Sequence, residues 1–82
     1  MKLGKVTGSI WATKKVPGLA GHGLLTVTVD GDRMVAADFV GAGQGDRVLL
    51  LTGGAARMGD PKLPIDAAII GILDEEDANV CQ

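Results

Sequence analysis

Period-two alternation governs this chain, and helical periodicity is nowhere sustained. From Gly4 the even positions read Gly4, Val6, Gly8, Ile10 and Ala12, all small or apolar. The odd positions read Lys5, Thr7, Ser9, Trp11 and Thr13, mostly polar. That pattern predicts a strand from Gly4 to Thr13 with one face toward a core and one toward water. Its two glycines permit the sharp bending seen at the corners of small barrels. The following "KKVPGLAGHG" carries Pro17 and three glycines and reads as a loop. Leu25, Val27 and Val29 then alternate with Thr26 and Thr28, and Val35, Ala37 and Phe39 form an apolar face on the return. Asp30-Gly31 stands between these two runs, a strong short-range hairpin signal.

Asp46–Leu51 ("DRVLLL") predicts a fourth strand and Ile65–Leu73 ("IDAAIIGIL") a fifth. The connector from Thr52 to Pro64 has room for one helical turn over Ala55–Met58, which Gly59 stops. Five short strands with glycine corners predict an all-β fold, a small five-stranded OB-like β-barrel with one short helical turn. The barrel is expected over residues 1–74, followed by a short acidic C-terminal tail over 75–82. "VLLL" and "AAIIGIL" are apolar on both faces, whereas an antiparallel sheet usually leaves one face to water. Either subunit contacts or the chain's own loops must cover that surplus.

Length and composition narrow the setting. With 82 residues the chain is expected to form one domain. A domain of this size buries roughly 60–65% of its unfolded surface and is marginal alone. Cys81 is the only cysteine, so no intramolecular disulfide forms, and a reducing cytoplasm is expected. Aromatics are 2% of the chain, only Trp11 and Phe39, which leaves the core to Val, Leu, Ile and Ala. The net charge of −2 gives no sign of a polyanionic partner. The N-terminal "MKLGKVTGSIW" alternates and lacks the continuous apolar stretch of a signal peptide. No apolar run approaches the roughly 20 residues that span a bilayer. A soluble protein with no membrane partner is expected.

The glycine-rich stretch "FVGAGQGDRVLLLTGGAARMG" invites a phosphate-binding reading, which its details oppose. Gly41, Gly43 and Gly45 give G-x-G-x-G, followed by Asp46 and then a strand. A dinucleotide fingerprint needs G-x-G-x-x-G opening a helix, and a P-loop needs Gly-Lys-Ser/Thr. Lysine is absent from Val40 to Met58, and Asp46 would repel a phosphate. Glycines that supply positive φ or close backbone approach in a tight turn fit better. No metal is expected, because His22 and Cys81 are far apart and have no spaced partners. Ser9, the only serine, has no histidine near it in sequence, so no catalytic residue is assigned. Asp38, Asp46, Asp66 and Asp74 lie at strand ends, where aspartate commonly caps turns. An OB-like module for single-stranded nucleic acid is the alternative. Trp11 beside Lys14 and Lys15 is the only feature in its favour, and the acidic balance opposes it.

These segments taken together resemble the EutN/CcmL family, the pentameric vertex proteins of bacterial microcompartment shells, carboxysomes included. The resemblance rests on "MKLGKVTGSIWATKK", "LL" at Leu24–Leu25, "VAADFVGAGQGDRVLLLTGGAAR" and "PIDAAIIGILD", in order and covering Met1 to Asp74. It implies an OB-like barrel that assembles as a homopentamer, with hexameric microcompartment shell proteins as neighbours, and burial of the two-sided strands at the subunit contacts is then expected to hold the ring together. It implies no enzymatic activity, no cofactor and no nucleic acid, and a place in the shell within the bacterial cytoplasm. The family's glycine block falls on Gly41, Ala42, Gly43, Gly45 and Asp46. Its G-S-S-A-R segment falls on Gly53, Gly54, Ala55, Ala56 and Arg57, and its final strand on Asp66 to Asp74. On this resemblance Gly41, Ala42, Gly43, Gly45, Asp46, Gly53, Gly54, Ala55, Arg57 and Asp66 are the expected assembly residues. Two departures stand out. Gly54 and Ala55 replace both serines, and the second and third strands join through the short "VDGDRM" where most relatives carry a longer insertion.

Overall fold

The computed structural model describes residues 1–11, 15–19 and 21–74. Its five strands are β1 (Lys2–Ile10), β2 (Gly23–Val29), β3 (Asp32–Asp38), β4 (Arg47–Thr52) and β5 (Ala67–Ile72). They close a barrel in the order β1-β2-β3-β5-β4. All pairings are antiparallel except β3–β5, which is parallel. The helical turn expected at Ala55–Met58 is a 3₁₀ turn two residues earlier, Gly53–Arg57, and a second one spans Pro17–Leu19. The strands match the sequence expectation to within about two residues, a normal spread for element ends. The part of the first strand expected at Ala12 and Thr13, and the acidic tail over 75–82, lie outside the described residues.

The hairpin forms where Asp30-Gly31 predicted it. Asp30 has φ 50° and Gly31 φ 83°. Positive φ at both central residues is the turn geometry whose twist matches that of the flanking strands. From there β2 and β3 pair without a slip from Val29↔Asp32 to Gly23↔Asp38.

The barrel interior is aliphatic. Val6, Val27, Val48, Leu50 and Ile69 are fully buried, joined by Leu25, Val29, Ala36 and Ala67. Gly4 belongs to this interior. A Cβ there would sit 2.6 Å from Val27 Cγ1 and 2.9 Å from Val29 Cγ2. The two valines occupy the space where a side chain would otherwise stand.

Two face assignments change. The alternation predicted in β1 holds through Val6 and then breaks, because a bulge between Val6 and Gly8 shifts the register against β2. A bulge inserts one unpaired residue and reverses the sidedness beyond it. Thr7 is that residue. Its hydroxyl stays on the outside, 3.1 Å from the Thr26 hydroxyl. Ile10 consequently pairs with Leu24 on the outer face, not with the core valines. In β3 the expected apolar face of Val35, Ala37 and Phe39 also points outward, and the interior is served by Ala36 and half-buried Met34.

A second apolar cluster explains the two-sided strands. Ala37, Ala56, Leu63, Ile65 and Ala68 pack outside the barrel, with Leu19, Leu24, Leu51 and Ile70 against them. Ala56, Leu63 and Ile65 come from the connector between β4 and β5. The expectation that subunit contacts bury the two-sided last strand is corrected for its first half: Ala67 to Ile69 are buried within the single chain, with Ala68 beneath the chain's own connector. Ile72, 46% exposed, is left out.

Replacing Gly4 with alanine places one methyl into filled space between β-branched side chains. Overpacking of that kind is expected to lower stability by about 1–3 kcal/mol. Urea denaturation of Gly4→Ala measures it, and an unchanged midpoint would contradict the interior placement of Gly4.

Candidate assembly surface

The glycine stretch between β3 and β4 is a loop pinned by two aspartates. Asp38 Oδ1 accepts hydrogen bonds from the backbone N–H of Val40 and of Gly41, each at 3.0 Å. The turn-capping role expected of an aspartate at a strand end is thus present here. Gly41 takes φ 79°, and Ala42 folds back against the interior cluster. Gly43 and Asp46 then bond reciprocally. The Gly43 N–H donates to Asp46 Oδ2 at 2.8 Å, and the Asp46 N–H donates to the Gly43 carbonyl at 3.0 Å. Gly45, at φ 90°, donates its N–H to the Val6 carbonyl, and the Val6 N–H donates to the Asp46 carbonyl, both at 2.9 Å. The loop is therefore stitched to β1 as a continuation of the β1–β4 ladder.

The second expected segment follows β4. Gly53 has φ 67°, and its N–H donates to the Asp66 carbonyl at 2.8 Å. That bond ties the start of the 3₁₀ turn to the residue preceding β5. Ala56 is fully buried beneath the turn, whereas Gly54, Ala55 and Arg57 face solvent. Met58 closes the turn in the left-handed region, φ 57°, with its N–H on the Ala55 carbonyl at 3.2 Å.

The ten expected assembly residues thus form two groups. Gly41, Ala42, Gly43, Gly45 and Asp46 share one loop, and Gly53, Gly54, Ala55, Arg57 and Asp66 cluster at the end of β4. The glycines also divide by physical reason. Gly41, Gly45 and Gly53 hold positive φ, which the single subunit itself demands. Gly43 and Gly54 do not, and added Cβ atoms there meet at most the Asp46 carboxylate at 3.9 Å. Nothing within one subunit requires glycine at those two positions.

Sequence reasoning missed several exposed apolar residues on the outside of the barrel. Leu3, Val35, Val40 and Met58 stand between 40% and 57% exposed. The outward turn of β3 hid Val35, because alternation alone does not say which phase faces in. Trp11 is 93% exposed, and Phe39 lies against the His22 ring with centroids 5.3 Å apart. Lys15 donates to the His22 carbonyl at 3.4 Å. Lys14 lies outside the described residues. Among the described residues no polar or charged side chain is buried. Nor is any group of three His, Cys, Asp or Glu placed to hold a metal.

Fold and surface together define one class of architecture: a small closed barrel with pinned glycine loops and apolar residues on its outside. A model of the family described as "Ethanolamine utilisation protein EutN/carboxysome" matches residues 1–74, and the chain belongs to that EutN/CcmL family. It is 43% identical to the microcompartment shell vertex protein EutN of Salmonella typhimurium, over 92% of this chain and 85% of that protein. It is 41% identical to the carboxysome shell vertex protein CcmL of a Synechocystis strain, over 90% of this chain and 83% of that one. Among solved structures, the pentameric microcompartment shell protein GrpN of Rhodospirillum rubrum superposes with a TM-score of 0.83. That pair is 41% identical and covers 90% of this chain and 94% of GrpN.

Gly45→Ala is expected to cost about 1–2 kcal/mol, because an L side chain is strained at positive φ. Gly43→Ala is expected to leave the barrel's own stability unchanged or slightly raised. Parallel thermal melts at a concentration where subunits are dissociated measure the contrast, and equal losses would contradict this division of the glycines.

Proposed function

We propose that five copies of this chain close into a ring that occupies a vertex of a bacterial microcompartment shell in the cytoplasm. The observation that carries the reading is the likeness to pentameric GrpN over nearly the whole of both chains. The family membership and the vertex-protein relatives agree with it. The role is structural, with no catalytic step. Shell facets would be tiled by hexameric shell proteins, and a sheet of hexagons cannot close into a polyhedron without pentagons. The barrel over 1–74 is the assembling unit in this reading, and 75–82 is an appended tail.

Ring contacts are heterologous: one patch of each subunit meets a different patch of the next, and closure holds every subunit on two sides. Five copies at −2 each carry −10, so the contacts must exceed a net electrostatic repulsion. Apolar area removed from water supplies about 25 cal/mol per Å², and immobilisation of subunits offsets much of it. Gly43 and Gly54, together with exposed Ala55, Arg57 and Asp66, are the positions where this reading places close approach between neighbours. The absence of side chains at the two glycines is what would let backbones meet.

Native mass spectrometry tests the assembly. A species of five times the 8.4 kDa chain mass is expected. A monomer or dimer at micromolar concentration would overturn the reading. Gly43→Val should shift the population toward free subunits while far-UV circular dichroism stays that of a folded barrel. Undiminished pentamer formation by that variant would remove Gly43 from the contact.

A further inference from the structure

The barrel is closed by its weakest seam. β3 and β5 share only two rungs, Ala37↔Ala68 and Asp38↔Ile69, while β3 itself runs from Asp32 to Asp38. The rest of β3, Asp32 to Ala36, pairs with β2 on one side and, among the described residues, with no strand on the other. The chain leading into β5 turns away at that point. The Ile65 N–H, which would carry the ladder on toward Arg33, is held instead by the Leu63 carbonyl at 2.9 Å.

The direction of the free backbone groups follows from the ladder. Phe39 donates its N–H to the Ile69 carbonyl at 3.2 Å, so odd-numbered residues of β3 aim their backbone groups toward β5. Alternate residues of a strand aim the same way. No register slip interrupts β2–β3. Arg33 and Val35 therefore present N–H and C=O groups to an open edge.

This edge is short and carries the charge of Arg33, but no strand among the described residues covers it. Strand edges are blunted by proline, bulges, inward charges or a covering segment. Here there is no proline and no bulge in β3, and the residue at its middle is Val35, 44% exposed. Val35 also borders grooves on both flanks. One is lined by Ile10, Thr26, Arg33 and Met34, the other by Thr52, Gly53, Asp66 and Ala67. The second of these includes Asp66, already assigned to ring contacts in the proposed function, and Gly53, whose N–H is bonded to the Asp66 carbonyl.

We propose that the open edge of β3, Arg33 and Val35, is a subunit contact, covered by backbone of a second copy of this chain that pairs with it across the ring boundary. The inference rests on the pentameric reading and deepens it by naming one of the two patches. A second copy is favoured as the occupant because the edge is continuous with the Gly53–Asp66 cluster. The open length of two outward residues also suits a short segment of a neighbouring loop rather than a long added strand.

Residue-resolved amide hydrogen exchange on the assembled protein is the test, run beside native mass spectrometry of Val35→Pro and Val35→Glu. Proline at position 35 removes an N–H that makes no ladder bond to β2 and is tolerated on an open edge. In the pentamer the Val35 amide should exchange at least about tenfold more slowly than in dissociated subunits. Both variants should yield folded monomers. A pentamer in which the Val35 amide exchanges at the same rate as in dissociated subunits overturns this inference and leaves the pentameric reading standing. So does a Val35→Glu chain that assembles like the unsubstituted one. A monomeric unsubstituted chain overturns both. Should Val35→Pro fail to fold, the exchange rates and Val35→Glu decide.

Discussion

The fold depends on covering β5 from both sides. Ala67 and Ile69 fill the barrel interior, and Ala68 turns the other way into a second apolar layer. A strand that is apolar on both faces is ordinarily sandwiched between layers. In so short a chain the second layer has to come from a connector. The segment between β4 and β5 supplies it with Ala56, Leu63 and Ile65. Two hydrogen-bonded anchors keep it in place: the Gly53 N–H on the Asp66 carbonyl at its ends, and the turn closed by Met58. Because the connector covers β5, the outer surface left for partners consists of loops, one strand edge and scattered apolar side chains.

That arrangement changes what holds an assembly together. If β5 were bare, subunits would associate to hide a broad hydrophobic strip, and no subunit would be stable alone. With β5 covered, the features left for association in the proposed ring are smaller: close backbone approach at glycines, an unpaired strand edge, and exposed residues such as Leu3 and Ile72. Contacts of this kind depend on shape and direction more than on area. Directional contacts suit a ring, where the angle between neighbours must be fixed for five copies to close.

Much of the architecture was legible in the sequence. Alternation located the strands, Asp30-Gly31 located the hairpin, and glycine spacing argued against a phosphate loop because a strand follows at Arg47. Sidedness was legible only up to Thr7. A bulge leaves no mark in the alternation of small and polar residues, since Gly8 and Ser9 fit either face. The outward aim of Val35 was hidden for a related reason. β3 offers Ala36 and Ala37 to its two sides, and both are buried, one within the barrel and one beneath the second layer. Likewise the sequence marked the glycines as a group, but only φ values and the space around each one separate those the turn needs from those it does not.

Each subunit hides the first half of its last strand, Ala67 to Ile69, by itself and leaves other features, Ile72 among them, for its neighbours. Amide hydrogen exchange at Ala67, Ala68 and Ile69, followed as the protein is diluted through dissociation, addresses this directly. Protection that stays high and independent of concentration is the predicted result. Protection that rises only as subunits associate would show that neighbours, not the connector, cover the strand, and would contradict the account.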